Sequence, residues 1–289
     1  MKYKREMKTV LILGFFDGIH AGHKKVIETA VNFAKNNNSK TVLLTFSKSP
    51  AEYFGHNTKY IYSREYNYSI IKYLGVDEIV ETDFAALAQI EAETYLKDLI
   101  ENYSPMAIVS GFNYTFGANK KGTTDYLKEK QTELDYKYFC VEPVTVNKNI
   151  VSSTLIKNLI CSGNIAEANS LLNLGFSVES VVIKGNRVGR TIGFPTANII
   201  YPENIVKLPY GVYKAEVLNR PAVLNWGIKP TLNGVNPIME THIIGFNGDL
   251  YGKNIRITIK NKIRDEKKFD NIEDLKKQIS KDIEECLKS

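Results

Sequence analysis

The sequence has few cysteines and no long apolar segment. Its only cysteines, Cys140, Cys161 and Cys286, are widely separated, and no Cys-x-x-Cys pair is present. This argues against a disulfide framework or a cysteine zinc site and indicates a reducing compartment, in which each thiol serves as a small apolar side chain. No apolar run approaches the roughly 20 residues that cross a bilayer, and no cleavable leader follows the basic N-terminus. We therefore expect a soluble, cytoplasmic protein without a membrane partner.

The chain also lacks a strong charge of one sign. Lysine and arginine number 38 against 32 acidic residues, a net charge of +6, and the basic residues are scattered. Such an excess suits the binding of small anions but not the dense basic face of a nucleic-acid binder. The 289 residues suffice for two domains of ordinary size or one large one. No Gly-x-x-x-x-Gly-Lys-Ser/Thr motif is present, which excludes a P-loop kinase at the motif level.

The first half alternates predicted strands and helices. Hydrophobic periodicity predicts strands over 9–16, 41–46, 78–81, 107–110 and 138–141, and helices over 23–36 and 91–102. This alternation predicts a parallel sheet covered by helices. In such a sheet, ligands bind at the carboxyl ends of the strands.

The segment GFFDGIHAGH, residues 14–23, follows the apolar run of residues 10–13 and leads into the first predicted helix. Its glycines let the backbone approach an anion, and the N–H groups and dipole of the helix attract phosphate. His20 and His23 add donors that stabilise charge during phosphoryl or nucleotidyl transfer without a covalent intermediate. The alternative is that the two histidines only cap the helix.

Three hydroxyl residues, Ser152, Ser153 and Thr154, begin another helical pattern. Taken alone, they favour a role in capping that helix. Phosphate binding, helped by Lys157, is the alternative.

The pattern changes near residue 176 to short β-rich runs separated by turns. Strands are predicted over 180–184, 211–217, 222–226, 240–246 and 255–259, which is typical of an antiparallel barrel or sandwich. The chain closes with a helix for which Asp270 is the predicted N-cap and Glu273 its reciprocal partner. The apolar stripe predicted to pack this helix on the barrel comprises Ile272, Leu275, Ile279, Ile283 and Leu287.

A second glycine-rich segment, GNRVGRTIGFPTAN, occupies residues 185–198. Its glycines permit tight turns over an anion, and Pro195 stiffens it. The hydroxyl of Thr196 and the carbonyl of Asn198 are hard oxygen ligands suited to Mg²⁺ and phosphate. The alternative is a glycine-rich turn with no ligand.

Residues 1 to about 175 resemble the adenylyltransferase module of the bacterial bifunctional riboflavin kinase/FAD synthetases. Residues 14–23 match the family pattern GxFDGxHxGH, residues 111–117 (GFNYTFG) are similar to GxNFTFG with Gly122 beyond them, and residues 152–154 align with SSTxIR. The resemblance implies that the two histidines bind ATP phosphates, that Asn113 orients the nucleotide or flavin phosphate, and that Ser152 and Thr154 contact the triphosphate. The phosphate-binding set predicted for this module is Gly14, Phe16, Asp17, Gly18, His20, His23, Asn113, Ser152, Ser153, Thr154 and Lys157.

Two positions depart from that module. The family has TFDPHP or a near variant after its second strand, whereas residues 45–50 are TFSKSP and lack the acidic residue and the histidine. The final arginine of SSTxIR is Lys157, which keeps the charge but loses the planar fork of a guanidinium. A riboflavin kinase with a weakened or inactive adenylyltransferase domain is therefore the alternative to a bifunctional enzyme.

Residues 176 to 289 resemble the riboflavin kinase module, whose signature is GxxxGRxLGFPTAN. Five further segments match in order: residues 210–213 (YGVY), 225–231 (NWGIKPT), 240–242 (ETH), 249–252 (DLYG) and 264–269 (RDEKKF). The resemblance implies that Thr196 and Asn198 coordinate Mg²⁺ and ATP phosphates and that Glu240 is the general base. We expect His242 to be packed or hydrogen-bonded and Trp226 to be core or pocket wall. The ATP-binding set predicted for this module is Gly185, Gly189, Arg190, Gly193, Pro195, Thr196 and Asn198.

These observations predict an α/β plus β protein of two domains. Residues 1–175 form a Rossmann-like HxGH nucleotidylyltransferase domain, and residues 176–289 form an antiparallel riboflavin-kinase barrel with a terminal helix. The expected activities are phosphorylation of riboflavin to FMN and adenylylation of FMN to FAD, with ATP and Mg²⁺. A non-catalytic flavin-binding regulator is a further alternative. The expected partners are small molecules rather than nucleic acid, and the expected state is a monomer or weak homo-oligomer.

Overall fold

The computed structural model describes residues 8–185, 188–231 and 234–288. Internal contacts divide them into two compact units. The first holds the described residues up to Thr58 together with Arg64–Ser153, and the second holds Lys59–Ser63 together with the described residues from Thr154 onward. In the part of the chain that is described, no helix has the length and apolar character needed to cross a membrane.

The first unit is built on a five-stranded parallel sheet of order β3-β2-β1-β4-β5. The strands are β1 (Thr9–Leu13), β2 (Lys40–Phe46), β3 (Glu78–Thr82), β4 (Pro105–Gly111) and β5 (Lys137–Val141), followed by a small hairpin of β6 (Thr145–Val146) and β7 (Asn149–Ile150). The helices are α1 (Ala21–Asn36), α2 (Pro50–Tyr53), α3 (Arg64–Tyr73), α4 (Phe84–Leu87), α5 (Ala92–Tyr103) and α6 (Thr124–Lys130). The predicted parallel α/β architecture is confirmed.

The strand order reverses at β1, which pairs with β2 on one side and with β4 on the other. In parallel sheets, the crevice at the carboxyl ends of strands at such a reversal is where ligands bind. The turn after β1 begins at Gly14, and the turn after β4 contains Asn113. The topology thus brings two of the predicted phosphate-binding segments to one edge of the sheet.

Strand β1 is shorter than predicted and helix α1 is longer. The strand ends at Leu13 rather than residue 16, because the following residues turn, with Gly18 at a φ of 63° in the left-handed region that favours glycine. Helix α1 begins at Ala21 rather than His23, because His20 already serves as its N-cap. The turn therefore has seven residues, 14–20, between the two elements.

The second unit is a closed barrel of order β10-β11-β12-β9-β8-β13. Its strands are β8 (Ser177–Ile183), β9 (Ala197–Ile200), β10 (Gly211–Val217), β11 (Arg220–Thr231), β12 (Gly234–Ile243) and β13 (Asn254–Arg264). Its helices are α7 (Ser153–Cys161), whose first residue still belongs to the first unit, α8 (Ile165–Leu171), α9 (Val188–Thr191) and α10 (Ile272–Leu287). The largest fully buried side chains of this unit are Trp226, Tyr213 and Phe176. The predicted antiparallel barrel is confirmed, and β9 is a strand that the sequence pattern did not reveal.

The compact units do not divide at residue 175. Asn169 of α8 donates to the carbonyl of Ile259 at 2.9 Å and accepts from the N–H of Phe176 at 2.7 Å, so α8 packs with the barrel. Tyr60, although far earlier in the chain, also belongs to the second unit. Its N–H donates to the carbonyl of Asn204 and its carbonyl accepts from the N–H of Val206, both at 2.8 Å. The division of function after residue 175 stays a prediction.

The terminal helix α10 begins one residue later than predicted. Asn271, not Asp270, is the N-cap, and its side chain accepts from the N–H of Asp274 and donates to the Asp274 carboxylate, both at 2.9 Å. Glu273 is therefore not the reciprocal partner. The predicted stripe is also wrong at its ends, because Ile272 and Leu287 are exposed. Cys286, which the predicted stripe did not include, is buried instead, and it packs with Val212 and Val223 next to the half-buried Ile283.

The cysteines only partly follow the expectation. Cys286 is a buried apolar side chain, but Cys140 and Cys161 are exposed. The interpretation of every thiol as core filler is thus wrong for two of the three.

An ion pair fixes α10 to strand β13. Asp282 is 3% exposed and accepts from the Arg264 guanidinium at 3.0, 3.2 and 2.8 Å, with Gln278 donating at 2.9 Å. Removing one partner of a buried pair leaves an uncompensated charge. We expect Asp282→Ala to lower the free energy of unfolding of the barrel unit by about 3 kcal/mol in urea titrations. The exposed pair of Glu285 and Lys288 supplies the control, since Glu285→Ala should change stability little; equal effects would contradict the assignment.

Candidate active sites of the two units

The turn before α1 holds its two histidines face to face. Nδ1 of His20 accepts from the backbone N–H of His23 at 3.3 Å, and the two rings stack with centroids 3.7 Å apart. Because Nδ1 of His20 accepts, its proton lies on Nε2 in the neutral ring, which leaves Nε2–H as a donor. His20 therefore caps the helix and keeps a donor for a ligand, so the two alternatives for this residue are compatible.

Burial keeps both rings neutral. Burial lowers the pKa of His20 from 6.5 to about 4. Burial, and to a smaller extent the charge of His20, holds the pKa of His23 well below its usual value. At neutral pH the two imidazoles are thus N–H donors rather than cations.

The lowered pKa of His20 has a measurable consequence. Since the folded protein prefers the neutral ring, the stability that this ring contributes is complete above pH 6.5 and is lost as the pH falls toward 4. A shift of this size corresponds to about 3 kcal/mol. We expect the His20 ring signals in NMR titrations of the ligand-free protein, assigned by their loss in His20→Ala, to have a midpoint near 4. Added triphosphate should raise that midpoint, because an anion favours the imidazolium. A midpoint near 6.5 without ligand would show that the ring is solvated.

The same turn is held from two sides. The buried Asn67 accepts from the N–H of Gly18 at 3.1 Å and donates to the carbonyl of Phe16. Ser153, the first residue of α7, donates its hydroxyl to the carbonyl of Asp17 at 2.8 Å. Ser153 therefore fixes the turn rather than capping its own helix. Asn67 was not identified from the sequence, since a single asparagine outside any motif carries no signal of a distant contact.

Asn113 lies in an ordered loop after β4. The N–H of Phe112 donates to the carbonyl of Val141 at 3.0 Å, and the N–H of Tyr114 donates to the carbonyl of Gly111 at 3.1 Å. Phe116 and Gly122 exchange two backbone bonds of 3.0 Å. A Cβ on Gly122 would come within 2.5 Å of the Phe116 ring, so glycine is required there. Asn113 itself is exposed at the sheet edge that the first turn also occupies.

The TFSKSP segment and the remaining predicted phosphate ligands have the following surroundings. Ser49 and Glu52 form a capping box at the start of α2, with both hydrogen bonds at 3.2 Å. The last two residues of TFSKSP are therefore the N-cap and the first residue of this helix. Ser152 is half-buried before α7, and Thr154 follows Ser153 in that helix. Lys157 Nζ lies 5.8 Å from the centroid of the Tyr60 ring, within the second unit.

In the barrel, the register of the strands places the predicted metal ligand Asn198 beside the predicted general base Glu240. Asn198 of β9 lies directly opposite Glu240 of β12, and Asn225 of β11 lies opposite Glu240 on its other side. Directly opposed residues of antiparallel strands share a face, with Cβ atoms about 5 Å apart. The neighbouring residues Met239 and Trp226 are fully buried, so the polar row lies on the outer face of the barrel wall. Asn225 begins the matched segment 225–231, but the sequence analysis gave it no role, and only the register shows that it lies beside Glu240.

Close packing requires two glycines of the second segment, whereas the third, Gly193, has open space around it and a φ of 93° in the left-handed region. A Cβ on Gly185 would come within 2.8 Å of the Asn198 amide, and one on Gly189 within 2.4 Å of the Phe194 carbonyl. The N–H of Phe194 donates to the carbonyl of Gly189 at 2.7 Å, and the N–H of Gly193 donates to the carbonyl of Arg190 at 3.3 Å. These two hydrogen bonds fold the segment back on itself before Pro195. Asn186 and Arg187 of this motif lie outside the described residues.

His242 is within hydrogen-bonding distance of a backbone carbonyl and Trp226 lies in the core, as the sequence predicted. His242 Nδ1 lies 2.8 Å from the carbonyl of Pro195, and its ring meets Phe194 edge-on at 5.7 Å. It therefore supports the proline of the PTAN segment. Trp226 is fully buried, donates Nε1–H to the carbonyl of Leu208 at 3.0 Å and packs on Tyr201 at 4.6 Å. It is core, with no face open to a ligand.

The oxygen donors of the PTAN segment fit Mg²⁺ held together with phosphates. The Asn198 amide donates to the hydroxyl and to the carbonyl of Thr196, both at 3.3 Å, which draws the two side chains together. With Glu240 beside them, the donor set is a hydroxyl, an amide carbonyl and a carboxylate, all hard oxygens. Within the described ranges no group of three or more histidine, cysteine or acidic side chains could hold a metal ion alone.

Two family models match the chain, each on one of these sites. The FAD synthetase model matches residues 2–155, and the riboflavin kinase model matches residues 172–289. A bifunctional riboflavin kinase/FMN adenylyltransferase from Bacillus subtilis is 33% identical over 298 aligned positions, covering 99% of this chain and 93% of its own. The chain belongs to this bifunctional family.

Further relatives agree with this membership. The Escherichia coli bifunctional riboflavin kinase/FMN adenylyltransferase is 31% identical, covering 94% of this chain and 90% of its own. A solved structure described as a macrolide-efflux protein from Streptococcus pneumoniae superposes with a TM-score of 0.86 at 32% identity, covering 98% of this chain and 96% of that one. The bifunctional architecture thus extends over nearly the whole length of the chain.

Proposed function

We propose that the barrel of this riboflavin kinase/FMN adenylyltransferase phosphorylates riboflavin and that its α/β unit adenylylates the FMN that results. The observation that carries the proposal is the register that sets Glu240 beside Asn198. It places a carboxylate next to the oxygens that suit a metal–triphosphate complex. The first unit supports the second activity with two neutral imidazoles at the start of a helix.

In the kinase reaction, Glu240 accepts the proton of the ribityl 5′-hydroxyl. The oxygen attacks the γ-phosphorus of ATP, the bond from that phosphorus to the bridging oxygen breaks, and ADP leaves. An alcohol is a poor nucleophile, so a carboxylate within hydrogen-bond reach raises the rate. Thr196 and Asn198 would hold Mg²⁺, and this ion would neutralise charge on the phosphates. Gly185 and Gly189 shape the backbone that faces the triphosphate, with Gly193, Pro195 and Arg190 at its far end.

In the adenylyl transfer, an FMN phosphate oxygen attacks the α-phosphorus of ATP and pyrophosphate leaves. The protein forms no covalent intermediate. His20 and His23 donate N–H groups to the phosphates, and the first backbone amides of α1 add to them. Asn113 orients a phosphate from the neighbouring loop, with Ser152, Thr154 and Lys157 as further phosphate ligands.

An exposed cluster of aromatic side chains in the first unit supports the proposal that this unit binds a planar substrate. Tyr53 and Phe54, which follow β2, contact Phe84, which follows β3, with ring centroids 5.3 and 6.2 Å apart. Phe54 is 62% exposed and Tyr53 41%. Open aromatic faces at the ligand-binding edge of the sheet suit stacking of a flavin ring.

Other parts of the proposal follow the family rather than particular contacts. The substrates are the small molecules ATP, riboflavin and FMN, and the compartment is the cytoplasm. A monomer or weak homo-oligomer that does not bind nucleic acid stays a prediction.

A product assay tests the function. The protein is incubated with ATP and Mg²⁺ and with either riboflavin or FMN, and the flavins are separated by chromatography. We expect FMN and FAD from riboflavin and FAD from supplied FMN. FMN without FAD would favour the kinase-only alternative that TFSKSP raises. Tight flavin binding without any product would favour a regulator.

A further inference from the structure

Helix α3 reaches two loops at the ligand-binding edge of the sheet. At its start, Arg64 donates to the carbonyl of Ser47 in the loop after β2 and pairs with Glu81 of β3 at 3.4 Å. One turn later, on the same face of the helix, Asn67 bonds the turn after β1. No motif predicted either contact, and the proposed mechanism uses neither.

Asn67 is suited to this position by its chemistry. It is 7% exposed, and its amide supplies an acceptor to the Gly18 N–H and a donor to the Phe16 carbonyl. An amide offers the two groups without charge and on two separate atoms, whereas a hydroxyl carries both on one oxygen. Each backbone group it meets would be costly to leave unpaired at a buried turn. The side chain thus fixes the path of three successive residues just ahead of His20.

We propose that Asn67 is a positioning residue for adenylyl transfer. It touches no reacting atom, but it fixes the 16–18 turn and hence the place of the His20 and His23 donors. Electrostatic stabilisation depends on donors that are already in place when charge develops, and a misplacement of about 1 Å costs about 100-fold in rate. The proposal rests on the function proposed above. Kinase activity, which the barrel supplies, should be independent of Asn67.

The test uses the full chain with Asn67→Ala and Asn67→Asp. Aspartate has the same shape and keeps an acceptor for Gly18, but it has no donor for Phe16 when ionised. Ser69→Ala is the control, because Ser69 lies on the same helix and its hydroxyl bonds only the helix carbonyl of Tyr66 among its described hydrogen bonds. Steady-state rates are measured for both reactions, with hydrogen exchange of residues 14–20.

We expect both Asn67 variants to lower kcat for FAD formation about 10- to 100-fold at saturating ATP and FMN. FMN formation should stay at the wild-type level, as should both rates in Ser69→Ala. The Gly18 amide should exchange faster in Asn67→Ala. If alanine unfolds the first unit, as circular dichroism would show, the isosteric aspartate variant decides.

Unchanged kcat for FAD formation in Asn67→Asp would overturn the proposal, and so would an equal fall of both activities. Absence of FAD formation by the wild type would count against the proposed function instead. In that case hydrogen exchange still decides. Unaltered exchange across residues 14–20 in a folded Asn67→Ala would show that the side chain does not fix the turn.

Discussion

Replacing Glu240 by glutamine should lower FMN formation from riboflavin by at least ~100-fold, because a general base contributes about 10²- to 10⁴-fold. Glutamine keeps the size of the side chain and a hydrogen-bonding oxygen but cannot take the proton of the 5′-hydroxyl. The residue sits opposite Asn198, so the loss should appear in kcat rather than only in binding of ATP. Conversion of supplied FMN to FAD should be unchanged, since the first unit carries that reaction. Rates of both reactions, followed by chromatography, measure the effect.

Glu216 provides a matched control for this variant. It lies on strand β10, which β11 separates from the strand of Glu240, and it pairs with Lys260 at 3.2 Å, with both side chains partly exposed. Glu216→Gln removes one barrel carboxylate without touching the polar row and should leave both rates unaltered. If folded Glu240→Gln made FMN at the wild-type rate, Glu240 would not be the base. Loss of both activities would contradict the separation of the sites.

The double variant His20→Ala/His23→Ala should lower FAD formation by at least ~10³-fold, because removal of a single well-placed donor costs about 10²- to 10³-fold. FMN formation should persist. The substitution also removes the N-cap of α1, at a cost of about 1 kcal/mol. Both reactions and thermal unfolding are therefore measured together.

His20→Asn separates the two roles of the first histidine. Asparagine is a good N-cap, so it accepts from the His23 N–H without supplying an imidazole. We expect this variant to keep the stability of the first unit and to lose FAD formation. Wild-type FAD formation in His20→Asn would mean that the ring serves only as a cap.

The sequence predicted the elements whose patterns are local. Strand 211–217 has the predicted bounds, and buried and half-buried residues alternate along it from Tyr213 onward. Strand β9 escaped because Ala197–Ile200 has only four residues and follows a glycine-rich turn. The cap of α10 fell one residue from its predicted place, because Asp270 and Asn271 are both good capping residues. Only the backbone decides between two such neighbours.

The site was predictable where a motif carries it and not where tertiary contacts do. The histidine turn and the PTAN segment could be located from glycines and polar residues in one stretch. Asn67 lies 49 positions from Gly18 and has no local signature. Asn225 belongs to a matched segment, but its place opposite Glu240 follows only from strand register. The aromatic cluster of Tyr53, Phe54 and Phe84 likewise forms only when the sheet brings the ends of β2 and β3 together.

Complementation of two variants tests the central claim, that each unit has its own ATP site. Glu240→Gln and His20→Ala/His23→Ala are supplied with riboflavin, ATP and Mg²⁺, separately and mixed, and FAD is quantified by chromatography. Alone, the first should yield neither FMN nor FAD, and the second should accumulate FMN. We predict that the mixture forms FAD, because FMN released by one protein is adenylylated by the other. A mixture that forms no FAD, although the unsubstituted protein does, would contradict two independent sites.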